Sequence, residues 1–556
     1  MPRKLLFIIP PYFDIEEFLD PKNSSTLPVF TIPYGVLSLE SYIKAKTTKG
    51  VAIEILDLNI EAYKIARSNP SARNINKDLM AIVSKKLQYP VDIVGISAIF
   101  NNSYVYLEEL TITIKKACTP PPLCVVGGGL ASNLYQSVLN NFSLIDGVCF
   151  AEGEIPLLDL IDSDDFHLLL NEHRSWITKK TVKGGKTPEP SYVENLDDIP
   201  MFDYRLIDLN NYNGRSLDKQ HCNQSNKREL SIHTSRGCPF NCVFCANSSV
   251  HGKRIRYMSE GRVISEVDHM IKDFGMNVLL IEDDHFLSNK KRAIKFLSEF
   301  NKRNIRIEFP NGIAVYAIDD EIGRLLKEGG VTTVQLAVES CSDYVLKEII
   351  NKPHNVSQIR KAKDILQNNG MLVHAFIVLG LPGEMDQHRT ESLKIIKEMG
   401  FDWVYFFIAI PIVGSRLYKI CVENNYIVEK NFKNHIVSKG SIKAPGVDPS
   451  EIEKTAYVMN LDVNFVNNFN VATGFFDRAL SYFVNISEKY PRHAFGHYAL
   501  AIIYKQKNEN DLAKIHNDAF IDIINKDMEW KSYADKFDLL RSSEYVNENE
   551  TRVLIN

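Results

Sequence analysis

Three of the nine cysteines of this 556-residue chain lie in one short segment, Ser235-Arg236-Gly237-Cys238-Pro239-Phe240-Asn241-Cys242-Val243-Phe244-Cys245. Thiolates at this CxxxCxxC spacing, on a loop that follows a predicted strand, can hold three corners of an iron–sulfur cubane. Cubanes normally take four protein ligands, and catalytic metal sites keep one position open for a substrate or cofactor. The spacing therefore predicts a [4Fe–4S] cluster held by Cys238, Cys242 and Cys245.

A structural zinc site is the main alternative for these cysteines. It needs a fourth ligand, which His221, Cys222 or His233 could supply. Zinc ribbons, however, usually pair one CxxC with a second CxxC, which this sequence lacks. Three inert buried cysteines are the remaining alternative, and their tight spacing in a loop with glycine and proline argues against it.

The segment in front of the cysteines alternates short apolar strands with amphipathic helices, which is typical of a parallel α/β sheet. We predict a doubly wound, Rossmann-like domain over residues 1–165, with strands near 4–9, 51–56, 92–99, 123–126 and 147–150. In such sheets ligands bind outside the carboxyl ends of the strands. Ser97, the glycines Gly127, Gly128 and Gly129, and Glu154 all lie at that edge.

A second strand–helix alternation covers residues 229–447, after a polar stretch, 166–228, that we interpret as a linker with a small hairpin. Its six predicted strands lie near 230–234, 278–281, 306–309, 333–338, 374–379 and 403–409. Six such units make most of a (β/α) barrel, in which chemistry occurs at the carboxyl ends of the strands. The predicted fold class is therefore α/β, with a partial TIM-like (β/α)6 barrel behind the first domain.

The last segment, residues 448–556, has a purely helical pattern. Two parts of it align at a spacing of 34 residues, with Ala479 matching Ala513, and Ala501 and Tyr504 at positions typical of a tetratricopeptide repeat. Asn508 and Asn517 stand where that repeat usually has glycine and an aromatic residue. A tetratricopeptide-like pair and an ordinary helical bundle both remain open.

The cysteine segment, including Phe244 before the last cysteine, resembles the signature of the radical S-adenosylmethionine (SAM) superfamily. The resemblance continues across residues 230–420 and implies that SAM chelates the open iron and is cleaved to a 5′-deoxyadenosyl radical. It also implies SAM contacts from Phe244, Glu282, Glu339 and Gly380. The glycines that usually precede the acid at the Glu282 position are missing here, and acidic residues at strand ends are often helix caps.

The first domain resembles the cobalamin-binding domain found in methyltransferases and many radical SAM enzymes. The resemblance rests on Val94-Gly95-Ile96-Ser97 and Val126-Gly127-Gly128-Gly129, and it implies cobalamin contacts from Ser97, these glycines and Glu154. The Asp-x-His-x-x-Gly motif that supplies a histidine ligand to cobalt is absent. Three alternatives are a dinucleotide-binding domain, whose GxGxxG spacing is not matched, a domain that has lost its ligand, and a flavodoxin-like domain for another ligand.

Together these resemblances imply an enzyme that methylates a carbon centre of a small molecule or natural product through a 5′-deoxyadenosyl radical. A non-methylating rearrangement, cyclisation or ring contraction with the same cofactors is the alternative, and a scaffold with degenerate cofactor domains is the alternative outside enzymes. No catalytic side chain is assigned, although Cys341 and His285 lie at predicted strand ends. Expected partners are a flavodoxin or ferredoxin as electron donor and a protein at the C-terminal helices.

Composition limits the other function classes. The chain has 65 basic and 69 acidic residues, a net charge of -4, and this near balance argues against nucleic acid as the main partner. No apolar run reaches the ~20 residues that span a bilayer, and no secretory signal is recognisable. We therefore expect a cytoplasmic protein.

Overall fold

The computed structural model describes residues 2–13, 30–68, 74–212, 228–429, 435 and 438–539. His221 and Cys222 lie outside the described residues. The chain forms two compact units. The first contains the described residues of Met1–Arg215, Arg228–Ile305 and Ile410–Lys443, and the second contains those of Arg306–Ala409 and Ala444–Asn556.

The first unit begins with a six-stranded sheet in the order β2-β1-β3-β4-β5-β6, in which only β6 is antiparallel to its neighbour. The strands are β1 Arg3–Ile9, β2 Val51–Asp57, β3 Ile93–Ser97, β4 Leu123–Gly127, β5 Gly147–Cys149 and β6 Trp176–Ile177. The helices of this part are Tyr34–Lys46, Leu58–Ser68, Ile75–Lys86, Leu107–Ala117, Gly129–Asn133, Tyr135–Asn141 and Glu154–Asp162. Two separate apolar cores bury the two faces of the sheet, as the nearly continuous apolar strands require.

Residues 166–212, which the sequence suggested were part of a linker, are folded against the sheet. They include the helices Phe166–Glu172 and Lys179–Lys183 and the edge strand β6. Trp176 is 1% exposed, and its Nε1–H donates to the carbonyl oxygen of Pro156 at 2.9 Å. The apolar residues of this stretch form only short groups, such as Leu168–Leu170 and Trp176–Ile177, and no sustained helix or strand period predicts their burial.

The first unit continues with the parallel strands β7 Glu229–Ile232 and β10 Val278–Ile281, and with the short antiparallel pair β8 Ser235–Arg236 and β9 Arg256–Tyr257. Its remaining helices are Glu260–Phe274, Lys290–Phe300 and Arg416–Glu423. Ser259 caps the first of these by accepting a hydrogen bond from the N–H of Arg262. The cysteine loop, residues 237–255, joins β8 to β9.

The second unit contains β11 Arg306–Glu308 and a parallel sheet in the order β12-β13-β14, formed by Thr333–Glu339, Leu372–Leu379 and Trp403–Ile408. The helices that alternate with these strands are Asp320–Glu328, Val356–Asn368 and Asp386–Met399. A π-helical turn, Val345–Ile350, follows β12, and the register of β12 shifts before Glu339. Such irregularities often occur beside functional sites.

The C-terminal helices of the second unit are Pro449–Leu461, Phe469–Ala472, Phe476–Lys489, Ala494–Gln506, Asn510–Lys526 and Met528–Lys536. Helices begin at Phe476 and Asn510, which reproduces the 34-residue offset of the sequence alignment (510 − 476 = 34). Their core includes Trp403 of β14, whose ring stacks on Tyr482 with centroids 5.4 Å apart. The tetratricopeptide assignment itself stays a prediction.

Among the described residues, none of the helices is both long enough and apolar enough to cross a bilayer.

Candidate active site

The cysteine loop leaves a tight β8–β9 neck, where Arg236 pairs with Arg256. Gly237 has φ +101°, and a Cβ at this position would lie 2.5 Å from the carbonyl oxygen of Arg254. Only glycine fits this position without displacing backbone. The loop folds on itself through hydrogen bonds from Cys238 N–H to Gly252 O at 3.3 Å and from Cys245 N–H to Cys242 O at 3.1 Å.

The three predicted ligands, Cys238, Cys242 and Cys245, form no disulfide and are half-buried. Burial raises the pKa of Cys245 to about 11, so iron binding at this thiol must displace a proton. In the described part of the chain, no three His, Cys, Asp or Glu side chains converge closely enough to hold one metal ion. A cubane makes no such demand, because each thiolate binds a different iron.

An acidic turn, residues 282–284, follows β10 and supports the loop. Asp284 accepts hydrogen bonds from Gly237 N–H at 3.0 Å and from Asn247 Nδ2 at 2.7 Å. Asp283 is 6% exposed and accepts from the Thr234 N–H and from the hydroxyls of Thr234 and Ser235 at 2.5–2.6 Å. Both aspartates therefore hold the strand ends that carry the cysteines.

Glu282, the first residue of this turn, differs from the two aspartates. It is half-buried, and its Oε1 accepts a hydrogen bond from Ser231 Oγ at 2.7 Å. Its side chain lines a cavity of about 690 Å³, which we call the sheet-edge cavity. The predicted SAM contact Glu282 is thus accessible to a ligand.

The sheet-edge cavity brings together most of the predicted site residues of the first unit. Its lining includes the predicted cobalamin residues Ser97, Gly127, Gly128, Gly129 and Glu154, and also Phe244, Cys245 and Glu282. Ser97 and Gly127 are paired in register at the carboxyl ends of β3 and β4, which explains why they meet at one edge. Asn133, just beyond the glycines, donates from Nδ2 to Ser249 Oγ of the cysteine loop at 2.9 Å.

Glycine occupies the three positions 127, 128 and 129 at the sheet edge for different structural reasons. Gly128 has φ +102°, and a Cβ there would lie 2.5 Å from the carbonyl oxygen of Ala98. An added Cβ at Gly127 or Gly129 would make only ordinary contacts at 3.7 Å. The backbone alone therefore requires glycine at position 128, whereas Gly127 and Gly129 leave space beside the cavity.

Glu154 is 3% exposed and already has protein partners. Its Oε1 accepts from Ser38 Oγ at 2.7 Å and from an Arg236 guanidinium nitrogen at 2.8 Å. Together with Glu152 it forms the Glu-Gly-Glu turn, residues 152–154, which follows β5. A direct cobalamin contact from Glu154 stays a prediction, and the geometry adds a link to the cysteine loop that the residue pattern did not indicate.

Glu339 and Gly380, the other predicted SAM residues, end β12 and follow β13 in the second unit. Glu339 has φ +66°, an uncommon conformation for a non-glycine residue, and its Oε1 lies 2.9 Å from Lys352 Nζ. Such strain tends to occur at functional sites. Gly380 has φ +82° and donates its N–H to Glu384 Oε2 at 2.6 Å.

Cys341 and His285, which lie at predicted strand ends, are both buried in the structure. Cys341 is fully buried, and burial raises its pKa to about 12, which favours a neutral thiol. His285 is 7% exposed, and its ring lies 5.5 Å from that of Phe240 in the cysteine loop. Both surroundings fit packing roles.

Sequence reasoning missed four residues around the cysteine loop: Arg236, Arg256, His251 and Glu152. Arg236 stands inside the cysteine segment, and Glu152 lies two positions before the predicted cobalamin residue Glu154. Arg236 and Glu154 are separated by 82 positions, so no local pattern could pair them.

Comparison with known proteins agrees with this geometry. Residues 232–406 match the Radical SAM superfamily. The chain is 28% identical over 471 residues to the cytidylyl-2-hydroxyethylphosphonate methyltransferase of Streptomyces wedmorensis, covering 79% of this chain and 87% of that protein. The predicted superfamily is thereby confirmed.

Two solved structures share the fold. The cobalamin-dependent SAM radical enzyme OxsB, solved with aqua-cobalamin and SAM, aligns with a TM-score of 0.63 at 14% identity, over 100% of this chain and 82% of OxsB. The radical SAM methyltransferase TsrM from Kitasatospora setae, solved with cobalamin and a [4Fe–4S] cluster, aligns with a TM-score of 0.54 at 16% identity, over 77% of this chain and 79% of TsrM. The predicted α/β fold class, with a helical C-terminal region, is confirmed. Residues 232–406 therefore form a Radical SAM domain, and the chain as a whole is similar to a known methyltransferase and shares the fold of cobalamin-dependent SAM radical enzymes.

Proposed function

We propose that the chain is a cobalamin-dependent radical SAM enzyme that methylates a carbon centre of a small molecule. One observation carries this proposal. A single cavity is lined by the glycine edge of the N-terminal sheet and by Cys245 of the cysteine loop. A methyl carrier and a radical source must lie close together for one substrate carbon to meet both, and this cavity offers that arrangement.

The residues present fit a [4Fe–4S] cluster. Three thiols of one loop supply soft ligands, and the loop's backbone is held by Asp284. We propose Cys238, Cys242 and Cys245 as ligands of three irons, with the fourth iron left to SAM. Phe244 and Glu282, which line the same cavity, are the proposed SAM contacts of the first unit.

The residues of the sheet-edge cavity also fit a corrinoid. From the glycine edge the lining continues along one face of the sheet as an apolar cleft that includes Phe7, Val125, Leu157 and Trp176. A Cβ at Gly95, on the same face, would lie 3.1 Å from the Phe7 ring. A cleft with apolar walls and with polar groups at the strand ends suits a large cofactor that has both a ring and a nucleotide tail.

When bound, the cluster with SAM supplies a radical that removes hydrogen from carbon, and the corrinoid supplies a methyl group. The chain's own residues then bind and orient the cofactors and shield the cavity from water. Ser97, Gly127 and Gly129 offer close backbone and hydroxyl approach at the cavity edge, and Ile99, Phe100 and Ile412 give the cavity an apolar margin.

In the second unit we propose Glu339 and Gly380 as further SAM contacts. Lys352 holds one carboxylate oxygen of Glu339, which keeps the side chain oriented. The positive φ of both residues turns the chain sharply where each strand ends.

The testing experiment is anaerobic purification with cluster reconstitution, followed by iron, sulfide and corrinoid analysis. We expect four irons and one corrinoid per chain, and reductive cleavage of SAM to 5′-deoxyadenosine. Cys242→Ala should abolish the cleavage, whereas Cys421→Ala, which removes a buried cysteine far along the chain from the loop, should leave it unchanged. A chain that binds a cluster and no corrinoid would contradict the methyl-transfer proposal while leaving radical chemistry intact.

A non-methylating rearrangement, cyclisation or ring contraction uses the same cofactors and is the second candidate. The mass of the product separates the two, because methylation adds one methylene unit. The electron for SAM cleavage would come from a flavodoxin or ferredoxin, and free thiols together with an oxygen-sensitive cluster favour a reducing, cytoplasmic location. The packing of Tyr482 on Trp403 supports a covering role for the C-terminal helices, beside which a partner-binding role stays a prediction.

A further inference from the structure

The neck of the cysteine loop contains two buried positive charges. Arg236 and Arg256 are directly paired across β8 and β9, and they are 7% and 4% exposed. Like charges directly opposite each other in an antiparallel pair destabilise it, and burial removes the water that would screen them. The neck is stable only if other groups neutralise both arginines.

The Glu-Gly-Glu turn after β5 supplies the two compensating charges. Arg256 binds both carboxylate oxygens of Glu152, one of them at 2.9 Å. Arg236 lies 2.8 Å from Glu154 Oε1 and 3.3 Å from Glu152 Oε2. Glu152 and Glu154 are 4% and 3% exposed, so two carboxylates and two guanidiniums form a charge-balanced buried cluster.

Ser38, His251 and Tyr192 complete this cluster. The Ser38 hydroxyl donates to Glu154 Oε1 at 2.7 Å and accepts from Arg236 at 2.9 Å. His251 Nδ1 lies 2.7 Å from Glu152 Oε1, and the Tyr192 ring lies 4.4 Å from the Arg256 guanidinium carbon. His251 itself belongs to the cysteine loop, so the turn holds that loop at its neck and along its length.

The same turn is joined to the glycine edge. β5, which leads into it, pairs with β4, which ends at Gly127. Ser132, just past the glycines, accepts at Oγ from Ala151 N–H at 3.0 Å. A continuous set of hydrogen bonds and ion pairs thus runs from the edge of the proposed corrinoid site to the neck of the proposed cluster site.

We infer that Glu152 and Glu154 are positioning residues that set the separation of the cluster and the corrinoid. The inference rests on the proposed function. Buried ion pairs add little net stability compared with apolar packing, but a two-oxygen contact to a guanidinium fixes distance and orientation closely. A displacement of about 1 Å at a reacting centre is enough to slow a reaction by about a hundredfold. Contacts that fix the distance between the two cofactors therefore matter for the rate.

The test measures the separation directly and needs no substrate. Full-length protein is reconstituted with the cluster and loaded with cob(II)alamin, and the spin relaxation of cob(II)alamin is compared with the cluster oxidised and reduced. Only the reduced cluster is paramagnetic, and its effect on relaxation falls steeply with distance. We expect the reduced cluster to accelerate the spin relaxation of cob(II)alamin strongly in the unaltered protein. In Glu152→Gln and Glu154→Gln this acceleration should be several-fold smaller. Glu266→Gln, which breaks the buried ion pair with Arg262 away from this cluster, should leave it unchanged.

The outcomes separate the inference from the proposed function. Unchanged relaxation in both glutamine variants at full iron and corrinoid loading would overturn the positioning role and leave the function standing. Unaltered protein that binds no corrinoid would overturn the function, and the inference with it. If the glutamine variants fail to load, Glu154→Asp keeps all four charges but shortens the carboxylate that reaches Arg236. A smaller relaxation enhancement in this variant supports the inference, and an unchanged one overturns it.

Discussion

The acidic turn after β10 and the Glu-Gly-Glu turn after β5 both place carboxylates at the carboxyl end of a parallel strand, and they serve opposite purposes. Glu282, in the first turn, is half-buried, accepts from the Ser231 hydroxyl and lines the sheet-edge cavity. Glu152 and Glu154, in the second, are only 4% and 3% exposed and are neutralised by two arginines. The partners of a carboxylate, rather than its place at a strand end, decide whether a ligand can reach it.

The acidic turn after β10 contains both cases side by side. Asp283 follows Glu282 directly, yet it is buried and receives three short hydrogen bonds. Burial raises the pKa of Asp283, and the donors from Thr234 and Ser235 partly offset that effect. Glu282 is thus accessible to a ligand, whereas its neighbour Asp283 holds the strand end at Thr234 and Ser235. Successive side chains of an extended segment point in opposite directions, which allows this difference.

The largest expected effect comes from Asp283→Ala, which removes the buried acceptor of three donors and leaves Arg292 with less negative charge nearby. We expect the apparent free energy of unfolding to fall by about 3–5 kcal/mol, since an uncompensated buried group remains. Urea denaturation measures this directly. Equal losses for Asp283→Ala and Glu282→Ala would contradict the division between support and access.

The second expected effect is a dependence of the free energy of unfolding on acidic pH, caused by the carboxyl group of Glu152. Burial opposes ionisation of this carboxyl, but the nearby charge of Arg236 and the contacts of His251 and Arg256 outweigh it and hold its pKa well below the ordinary value. A lowered folded-state pKa stabilises the protein at pH above the unfolded value of about 4.3, and this contribution is lost as the pH falls below it. Glu152→Gln should therefore cost about 1–3 kcal/mol from pH 7 down to about pH 4.3, and progressively less as the pH falls from there toward about 3.

Urea titrations of both chains across that pH range, in the same state of iron loading, check this prediction. The difference between the two midpoints should shrink as the solution is acidified. A difference that stays constant would show that the lost contacts of Glu152 do not depend on its charge.

A smaller effect is expected for Ser38→Ala, which removes one hydroxyl from the buried cluster and keeps its charges. Two hydrogen bonds disappear, and Arg236 and Glu154 still bind each other. We expect a loss of about 1 kcal/mol in thermal or urea denaturation. A loss as large as that of Asp283→Ala would indicate that the hydroxyl, and not the ion pairs, holds the cluster together.

The smallest effect on stability is expected for Glu282→Gln. The amide keeps the Ser231 hydrogen bond, so the free energy of unfolding should change by less than about 0.5 kcal/mol. The affinity for SAM should fall by about tenfold, because a charge-assisted hydrogen bond becomes a neutral one. Isothermal titration of the reconstituted protein with SAM measures this. A stable variant with unchanged affinity would remove Glu282 from the proposed site.

Prediction from the residues worked best where the evidence is local. The three cysteines lie within eight positions of one another, so their spacing alone indicates one loop and one cluster. The parallel strands were likewise visible as buried apolar runs such as Ile93–Ser97 and Leu123–Gly127. The folded stretch 166–212 was missed because its buried apolar residues form only short groups, such as Trp176–Ile177, with no sustained period along the chain.

What the amino-acid sequence determined by itself was the spacing of the three cysteines proposed as ligands, the order of the strands along the chain and the edge at which polar residues collect. What only the tertiary structure decided was which of those polar residues remain open to a ligand. Arg236 meets Glu154 across 82 positions and Ser38 across 198, and no short-range period encodes such a meeting. The physical reason is that desolvation and charge pairing depend on everything packed around a group, whereas spacing along the chain records only its immediate neighbours.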